Sequence, residues 1–113
     1  EASYLARGQA QRVVDLQQAL QQIKFMPLRD FGPDDAIDIA ALIEVETEGE
    51  TATRWYWLTP AGGGRTLQLG ATAVDVVTPQ APLGRALVGR YVGDEITLRS
   101  AGRARELVIA RVH

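Results

Sequence analysis

Carboxylate side chains are the most numerous candidates for chemistry in this chain, since a pair of them can bind a metal ion or act as general acid and base. The 113 residues carry 14 Asp and Glu against 12 Lys and Arg, a formal net charge of −2. Asp34 and Asp35 lie among turn-forming residues. Four glutamates recur at every second position, and these are Glu44, Glu46, Glu48 and Glu50. This period is typical of the solvent-facing side of a β-hairpin, so we interpret the set as a solvated face.

The other residue types argue against an enzyme. With no cysteine, the chain has no disulfide, thiolate metal site or cysteine nucleophile. Its one histidine, His113, is the last residue, and we expect it to be frayed rather than to act as a ligand. The glycines 62–64 precede Arg65 and Thr66, without the Lys-Ser/Thr pair of a phosphate-binding loop. We therefore predict no nucleotide site, no metal bound by this chain and no catalysis of its own.

Charge and hydropathy also restrict the partners. A slightly acidic chain lacks the clustered Lys and Arg that grip phosphates, so contact with nucleic acid is expected to be indirect. No apolar run is long enough to cross a bilayer, and no signal-peptide pattern is present. We predict a cytoplasmic protein with no membrane contact.

Three consecutive aromatic residues, Trp55, Tyr56 and Trp57, lie in a segment with strand propensity. In a strand they point to alternate faces, and one face belongs to the core. Core packing accounts for at least two of the rings, and the remaining alternative is an exposed binding patch.

The first 26 residues are rich in strong helix formers and end before Pro27, which predicts one long helix over residues 1–26. Spacings of four and three define a heptad seam, whose residues are Ala2, Ala6, Gln9, Val13, Leu16, Leu20 and Ile23. The seam requires a partner: a preceding helix folded back as a hairpin, a second copy of the chain, or the chain's own sheet. We expect the part from Val13 to Ile23 to pack against residues that precede Glu1, and to self-associate where those are missing.

The remaining elements predict an α+β domain. Residues 27–35 are expected to form a linker, and residues 36–113 a domain of hairpin-connected strands with one short helix. The expected strands cover residues 37–46, 53–58, 67–69, 74–78, 95–99 and 105–112, with the helix at 82–88. Short turns between strands favour a mostly antiparallel sheet.

The most specific part of the sequence surrounds the predicted short helix, and runs Thr78-Pro79-Gln80-Ala81-Pro82-Leu83-Gly84-Arg85-Ala86-Leu87-Val88-Gly89, then Val92-Gly93-Asp94-Glu95. It closely resembles the signature of the Gre-type transcription elongation factors (GreA/GreB), in which Ser-Pro-Leu-Gly-Arg-Ala-Leu-Leu-Gly is followed by Val-Gly-Asp-Glu. Residues 41–46 resemble the first strand of that family's C-terminal domain. The resemblance spans about residues 38–112, and extends more loosely to the helix.

This resemblance implies an FKBP-like antiparallel sheet with one short helix, preceded by a long coiled-coil helix. Domains of this family bind the rim of the RNA polymerase secondary channel, and their helical hairpin enters it. Acidic residues at the hairpin tip help to hold a catalytic Mg²⁺ and a water, so that the polymerase cleaves backtracked RNA. For this chain the implied docking residues are Gln80, Pro82, Gly84 and Arg85.

Departures from the family pattern keep alternatives open. In the family's tip motif, an Asp and two further residues precede Glu-Asn-Ala-Glu-Tyr. Ala2 and Tyr4 match this motif, but Glu1 stands at its Asn position and Ser3 replaces the Glu before Tyr. The acidic pair is therefore expected upstream of Glu1, and Mg²⁺ is implied for the full-length protein rather than for this chain. A cleavage factor is the favoured reading, and a Gre-like regulator that occupies the channel without promoting cleavage is the alternative.

Two further departures lie in the docking loop, where Gln80 stands at a position that is often acidic in the family and Ala81 replaces Ser. A third hypothesis comes from the FKBP-like fold, which also occurs in prolyl isomerases. The rings available for such a pocket are Trp55, Trp57 and Tyr91.

Overall fold

A computed structural model describes residues 11–18 and 31–113 of the chain. Over these residues the chain forms a six-stranded mixed sheet and two short helices, an α+β architecture. In chain order the elements are α1 (residues 11–18), β1 (Leu42–Thr47), β2 (Arg54–Leu58), β3 (Thr66–Leu69), β4 (Thr72–Val77), α2 (Pro82–Leu87), β5 (Glu95–Ser100) and β6 (Arg103–Val112).

The strands are ordered β3-β4-β2-β1-β6-β5 across the sheet. Four neighbouring pairs are antiparallel, but β2 and β4 run parallel, with Trp55 opposite Val74 and Trp57 opposite Val76. The prediction of an antiparallel sheet is wrong for this pair. Parallel neighbours require a crossover connection. Residues 59–71, which include β3, return the chain so that β4 enters beside β2 in the same direction.

The strand predicted to start at Ile37 begins instead at Leu42. Ala40 has a positive φ of 83°, which interrupts the extended chain. Ile37 is buried nonetheless. Its N–H donates to the carbonyl of Arg90 (2.8 Å), and its carbonyl accepts from the N–H of Gly89 (2.9 Å). The segment before β1 is thereby tied to the loop that follows α2.

The sheet buries two separate faces. The face covered by α2, here the α2 face, contains Phe31, Ile37, Ala41, Ile43, Val45, Tyr56, Leu58, Val77, Leu87, Ile96, Leu107, Ile109 and Val112. The opposite face, here the α1 face, contains Leu16, Leu42, Trp55, Trp57, Val74 and Val76. Alternation along each strand sends successive side chains to opposite faces, which is how Ile43 and Leu42 come to lie in different clusters.

All three consecutive aromatics are core residues. Trp55 and Trp57 lie on the α1 face and Tyr56 on the α2 face, and all three are buried. The interpretation as core packing is confirmed, and the alternative of an exposed aromatic patch is wrong.

Helix α1 contacts the sheet of its own chain. Leu16 is 3% exposed within the tryptophan cluster and Val13 packs against it, whereas Val14 is exposed. These contacts correspond to one of the three partners considered for the seam. Leu20, Ile23 and the rest of the helix predicted over residues 1–26 lie outside the described residues, so pairing of the seam with another helix stays a prediction. In the part of the chain that the structure describes, no helix is long and apolar enough to cross a membrane.

Candidate docking site

The turn at residues 78–81 leads directly into α2. Ala81 is extended and its N–H donates to the carbonyl of Thr78 (3.1 Å), after which Pro82 occupies the first turn of the helix. Proline suits this position because the amide it lacks has no partner within the helix. The turn and the helix are thus a continuous, hydrogen-bonded unit, in which Arg85 N–H donates to the carbonyl of Ala81 (2.9 Å).

Gly84 holds this unit together by its lack of a side chain. It is buried, and a Cβ placed on it would lie 1.8 Å from the carbonyl oxygen of Thr78 and 2.7 Å from the carbonyl carbon. Backbone packs on backbone here, so any other residue would force the helix and the turn apart. Of the four predicted docking residues, Gly84 therefore shapes the site and offers no side chain to a partner.

The other three predicted docking residues, Gln80, Pro82 and Arg85, are exposed and are here called the docking surface. The opposite side of α2 is anchored, since Leu87 is fully buried and Leu83 and Ala86 pack against the α2 face. A surface on such a fixed element costs little ordering entropy when a partner binds. The structure places all three on the exposed side of the turn and helix, and their role in docking stays a prediction.

A cavity of about 500 Å³ adjoins the docking surface and shares Pro82 with it. Its lining includes the apolar residues Val77, Pro82, Leu83 and Leu98, and three arginines, Arg65, Arg99 and Arg105. We call it the arginine cavity. The sequence gives no sign of it, because the three arginines come from the loop before β3 and from the two strands of the β5–β6 hairpin, which only the folded topology brings together.

Glu44 is not a solvent-facing residue, contrary to the prediction. It is 6% exposed, its Oε2 lies 2.8 Å from His113 Nε2, and its Oε1 lies 3.5 Å from Arg111 Nη1. The imidazole of His113 also stacks on Trp55, with 5.9 Å between the ring centroids. A carboxylate can only accept hydrogen bonds, so Nε2 of His113 is the donor in this pair. The expectation that His113 is frayed is likewise wrong.

A β-bulge explains why the prediction failed at these residues. Glu44 lies opposite Arg111 but Val45 lies opposite Ile109, which leaves Ala110 as an extra residue on β6. The bulge inverts the alternation beyond Ala110, so that Arg111 and His113 lie on the α1 face beside Glu44. Backbone pairing continues to the last residue, because Leu42 and His113 exchange both hydrogen bonds, at 2.8 and 3.1 Å.

The other glutamates of the series, Glu46, Glu48 and Glu50, are exposed as predicted. Glu50 accepts two hydrogen bonds of 2.8 Å from the guanidinium of Arg54. These bonds lower the pKa of Glu50 and raise that of Arg54. Within residues 11–18 and 31–113, no group of three or more His, Asp or Glu is placed to hold a metal ion.

The rings considered for a prolyl isomerase do not converge. Trp55 and Trp57 are buried on the α1 face, whereas Tyr91 is 45% exposed in the loop that follows α2 on the other side of the sheet. The described residues thus give no common aromatic pocket from these three rings.

The fold resembles those of several solved structures. No protein-family model and no curated protein matches the chain. The structure of the transcription factor Gfh1 matches 97% of this chain and 69% of its own, at 20% identity and a TM-score of 0.57. Gfh1 of Thermus aquaticus matches 100% of this chain and 72% of its own, at 18% identity and a TM-score of 0.55.

A third solved structure carries the Gre name itself. The prokaryotic transcription elongation factor GreA/GreB from Nitrosomonas europaea matches 74% of this chain and 64% of its own, at 19% identity and a TM-score of 0.51. At such identities the likeness concerns the fold. The chain has the fold of Gre-type factors, and the resemblance found in its sequence is confirmed at that level.

Proposed function

We propose that this chain belongs to a bacterial transcription elongation factor that binds RNA polymerase at the rim of its secondary channel. The contact is made by the docking surface of Gln80, Pro82 and Arg85, with Gly84 fixing its geometry. The observation that carries the proposal is the packing of the turn at residues 78–81 on α2 through Gly84, at the sequence block that most resembles the Gre signature. The shared fold supports it.

In this proposal the domain anchors the elongation factor to the polymerase and has no catalytic activity of its own. The polymerase carries out any RNA cleavage, in the cytoplasm, and contact with nucleic acid is made through the polymerase. Carboxylates expected upstream of Glu1 would help to hold the Mg²⁺ that assists the phosphoryl displacement. The docking surface would orient the factor on the polymerase.

Substitution of Arg85 by Glu tests the docking surface. Arg85 is exposed and has no hydrogen bond or ion pair to another side chain in the described part of the chain, so the change should lower the melting temperature only slightly, through an unfavourable charge in the last turn of α2. We expect binding to RNA polymerase to weaken by roughly tenfold, as expected for charge reversal at an interface. Arg103→Glu is the matched control, because Arg103 is exposed and belongs neither to the docking surface nor to the arginine cavity. Unchanged binding by Arg85→Glu would remove the docking surface from the polymerase contact.

The alternative is a regulator that occupies the channel without promoting cleavage. It is favoured by Glu1 and Ser3, which replace residues of the family's tip motif. A transcript-cleavage assay on a backtracked polymerase complex separates the two. Cleavage faster than with polymerase alone identifies a cleavage factor. Binding without faster cleavage identifies a regulator.

A further inference from the structure

The arginine cavity combines two properties that point to a ligand. Arg65, Arg99 and Arg105 are exposed, and none of them forms a hydrogen bond or ion pair with a side chain in the described residues. The carboxylate nearest to them on the cavity wall, Asp75, accepts a hydrogen bond of 2.6 Å from Thr66. Three cations are therefore grouped around one hollow with a single carboxylate among them, which leaves an excess of positive charge.

The charge of Arg105 also acts on Glu50, a residue that does not line the cavity. The pKa of Glu50 is lowered mainly by its hydrogen bond with Arg54 and, as the smallest contribution, by the charge of Arg105. Both carboxylate oxygens of Glu50 accept hydrogen bonds from Arg54, and Glu50 forms no hydrogen bond with Arg105. Since the three arginines have no side-chain partner in the described residues, their guanidinium groups can bind a carboxylate or another oxyanion.

The walls between the arginines are apolar. Pro82, Leu83 and Leu98 line the cavity, which has the size of a pocket for one or two side chains. A binding region with an apolar centre and a charged rim is typical of protein–protein contacts, where an anchoring side chain is buried and charges surround it.

We propose that the arginine cavity receives an acidic segment of the partner protein, in which carboxylates flank an apolar anchoring side chain. The proposal rests on the proposed function, since Pro82 belongs to both the cavity and the docking surface. It adds the chemistry of the partner: the segment that meets α2 carries Asp or Glu opposite Arg65, Arg99 and Arg105.

A nucleic acid is the less suitable occupant. A phosphate backbone is bound by basic charge over many nucleotides, whereas the basic charge here is confined to one hollow. On the next part of the β5–β6 hairpin, Glu95 and Glu106 line an acidic hollow together with Glu46 and Glu48. These carboxylates lie on the opposite face of the hairpin from Leu98 and Arg105, so the basic charge of the cavity is not continued along the hairpin.

The test is binding of the full chain to immobilised bacterial RNA polymerase core enzyme over a range of salt concentrations. The variant carries Arg65→Gln, Arg99→Gln and Arg105→Gln together, and all three positions are exposed, so the fold should persist. We expect affinity to fall by roughly tenfold at low salt and the dependence on salt to become weaker. Arg103→Gln, on the same hairpin but not on the cavity, is the matched control and should bind within about twofold of the native chain.

The outcomes separate this inference from the proposed function. If the native chain fails to bind polymerase, both are overturned. If Arg85→Glu weakens binding and the triple variant does not, docking stands and the acidic partner segment is overturned.

Competition identifies the class of occupant. A synthetic peptide of Glu residues around one Leu should displace the chain from polymerase, and its Gln counterpart should not. Displacement by single-stranded RNA and not by the acidic peptide would assign the cavity to nucleic acid and overturn the proposal. A variant with Arg65→Lys, Arg99→Lys and Arg105→Lys together keeps the positive charge and should retain much of the affinity of the native chain.

Discussion

The two faces of the sheet are built in different ways. The α2 face is an apolar cluster sealed by α2 and by the segment before β1, and its contacts include Gly84 packed on backbone. The α1 face pairs a smaller apolar cluster around Trp55 and Trp57 with a buried carboxylate, Glu44, held by two side chains. The α2 face is therefore stabilised by close packing, and the α1 face partly by interactions between charged side chains. The proposed docking surface lies on the α2 side, where the backbone leaves least freedom.

The largest effect is expected on the α2 face, from Gly84→Ala. A Cβ there meets the carbonyl of Thr78, and since both sides of the contact are backbone, the helix must shift. Overpacking typically costs about 1–3 kcal/mol and occasionally more, and we expect about 3 kcal/mol in the free energy of unfolding. Helix propensity alone predicts the opposite sign, a gain of about 1 kcal/mol. Urea denaturation gives the value.

Ala86→Gly on the same helix is the matched control, with a loss of about 1 kcal/mol from propensity. If Gly84→Ala is as stable as the native chain, the close contact between turn and helix does not exist in solution. The α2 face would then not be held by close backbone packing, and its contrast with the α1 face would be wrong.

On the α1 face, Leu16→Ala removes the described side chain by which α1 is most deeply buried on the sheet. Truncation of a buried Leu costs about 2–5 kcal/mol. We expect about 2 kcal/mol, the lower end of this range, because Leu16 is the one fully buried residue among the described residues of α1. Trp55 and Trp57 lie in the same cluster, so their fluorescence follows the unfolding of this face. Val14→Ala, at an exposed position of the same helix, is the control.

Equal, small effects of Leu16→Ala and Val14→Ala would contradict the packing of α1 on the sheet. They would favour the partner first expected for the heptad seam, namely another helix. The seam is also the place where sequence reasoning left most open, since a spacing of three and four specifies an apolar stripe and not what covers it.

The sequence predicts the elements of this domain better than their arrangement. The strands from β2 to β6 and helix α2 lie within a few residues of their predicted bounds, because alternation, proline and glycine are local signals. The parallel pairing of β2 with β4 and the bulge at Ala110 depend on which strands become neighbours, and no local pattern encodes that. Both the burial of Glu44 and the arginine cavity follow from these non-local features. The proposed docking surface required only local signals, because its residues belong to one contiguous segment, and its role stays a prediction.

A smaller effect is expected from the charged cluster of the α1 face. Glu44→Gln removes the carboxylate, and His113→Phe keeps a ring on Trp55 while removing the donor nitrogen. Hydrogen bonds to charged groups contribute about 1.5–3 kcal/mol. Since His113 and Arg111 are partly exposed, we expect a coupling energy of about 1 kcal/mol in the double-mutant cycle.

Glu46→Gln is the control for this cycle, because Glu46 lies two residues along the same strand and is exposed. It should leave stability unchanged and show no coupling with His113→Phe. A coupling energy near zero between positions 44 and 113 would mean that the α1 face, like the α2 face, is held by apolar packing alone.

The smallest effect is expected outside both faces, at the exposed pair of Glu50 and Arg54. Hydrogen bonding to Arg54 lowers the pKa of Glu50 in the folded chain below its ordinary 4.5. A carboxyl whose pKa is lowered by folding stabilises the fold above its unfolded pKa, and the stabilisation is lost as the pH falls through the folded pKa. Glu50→Gln should therefore differ from the native chain slightly at neutral pH and not at all once the pH is well below 4.5. Solvent screens an exposed pair, so the difference should also shrink in high salt. Urea midpoints of the two proteins, measured from neutral to acid pH, test this. If the difference grew as the pH fell, the pair would destabilise the hairpin, and the charged groups that matter would be confined to the α1 face.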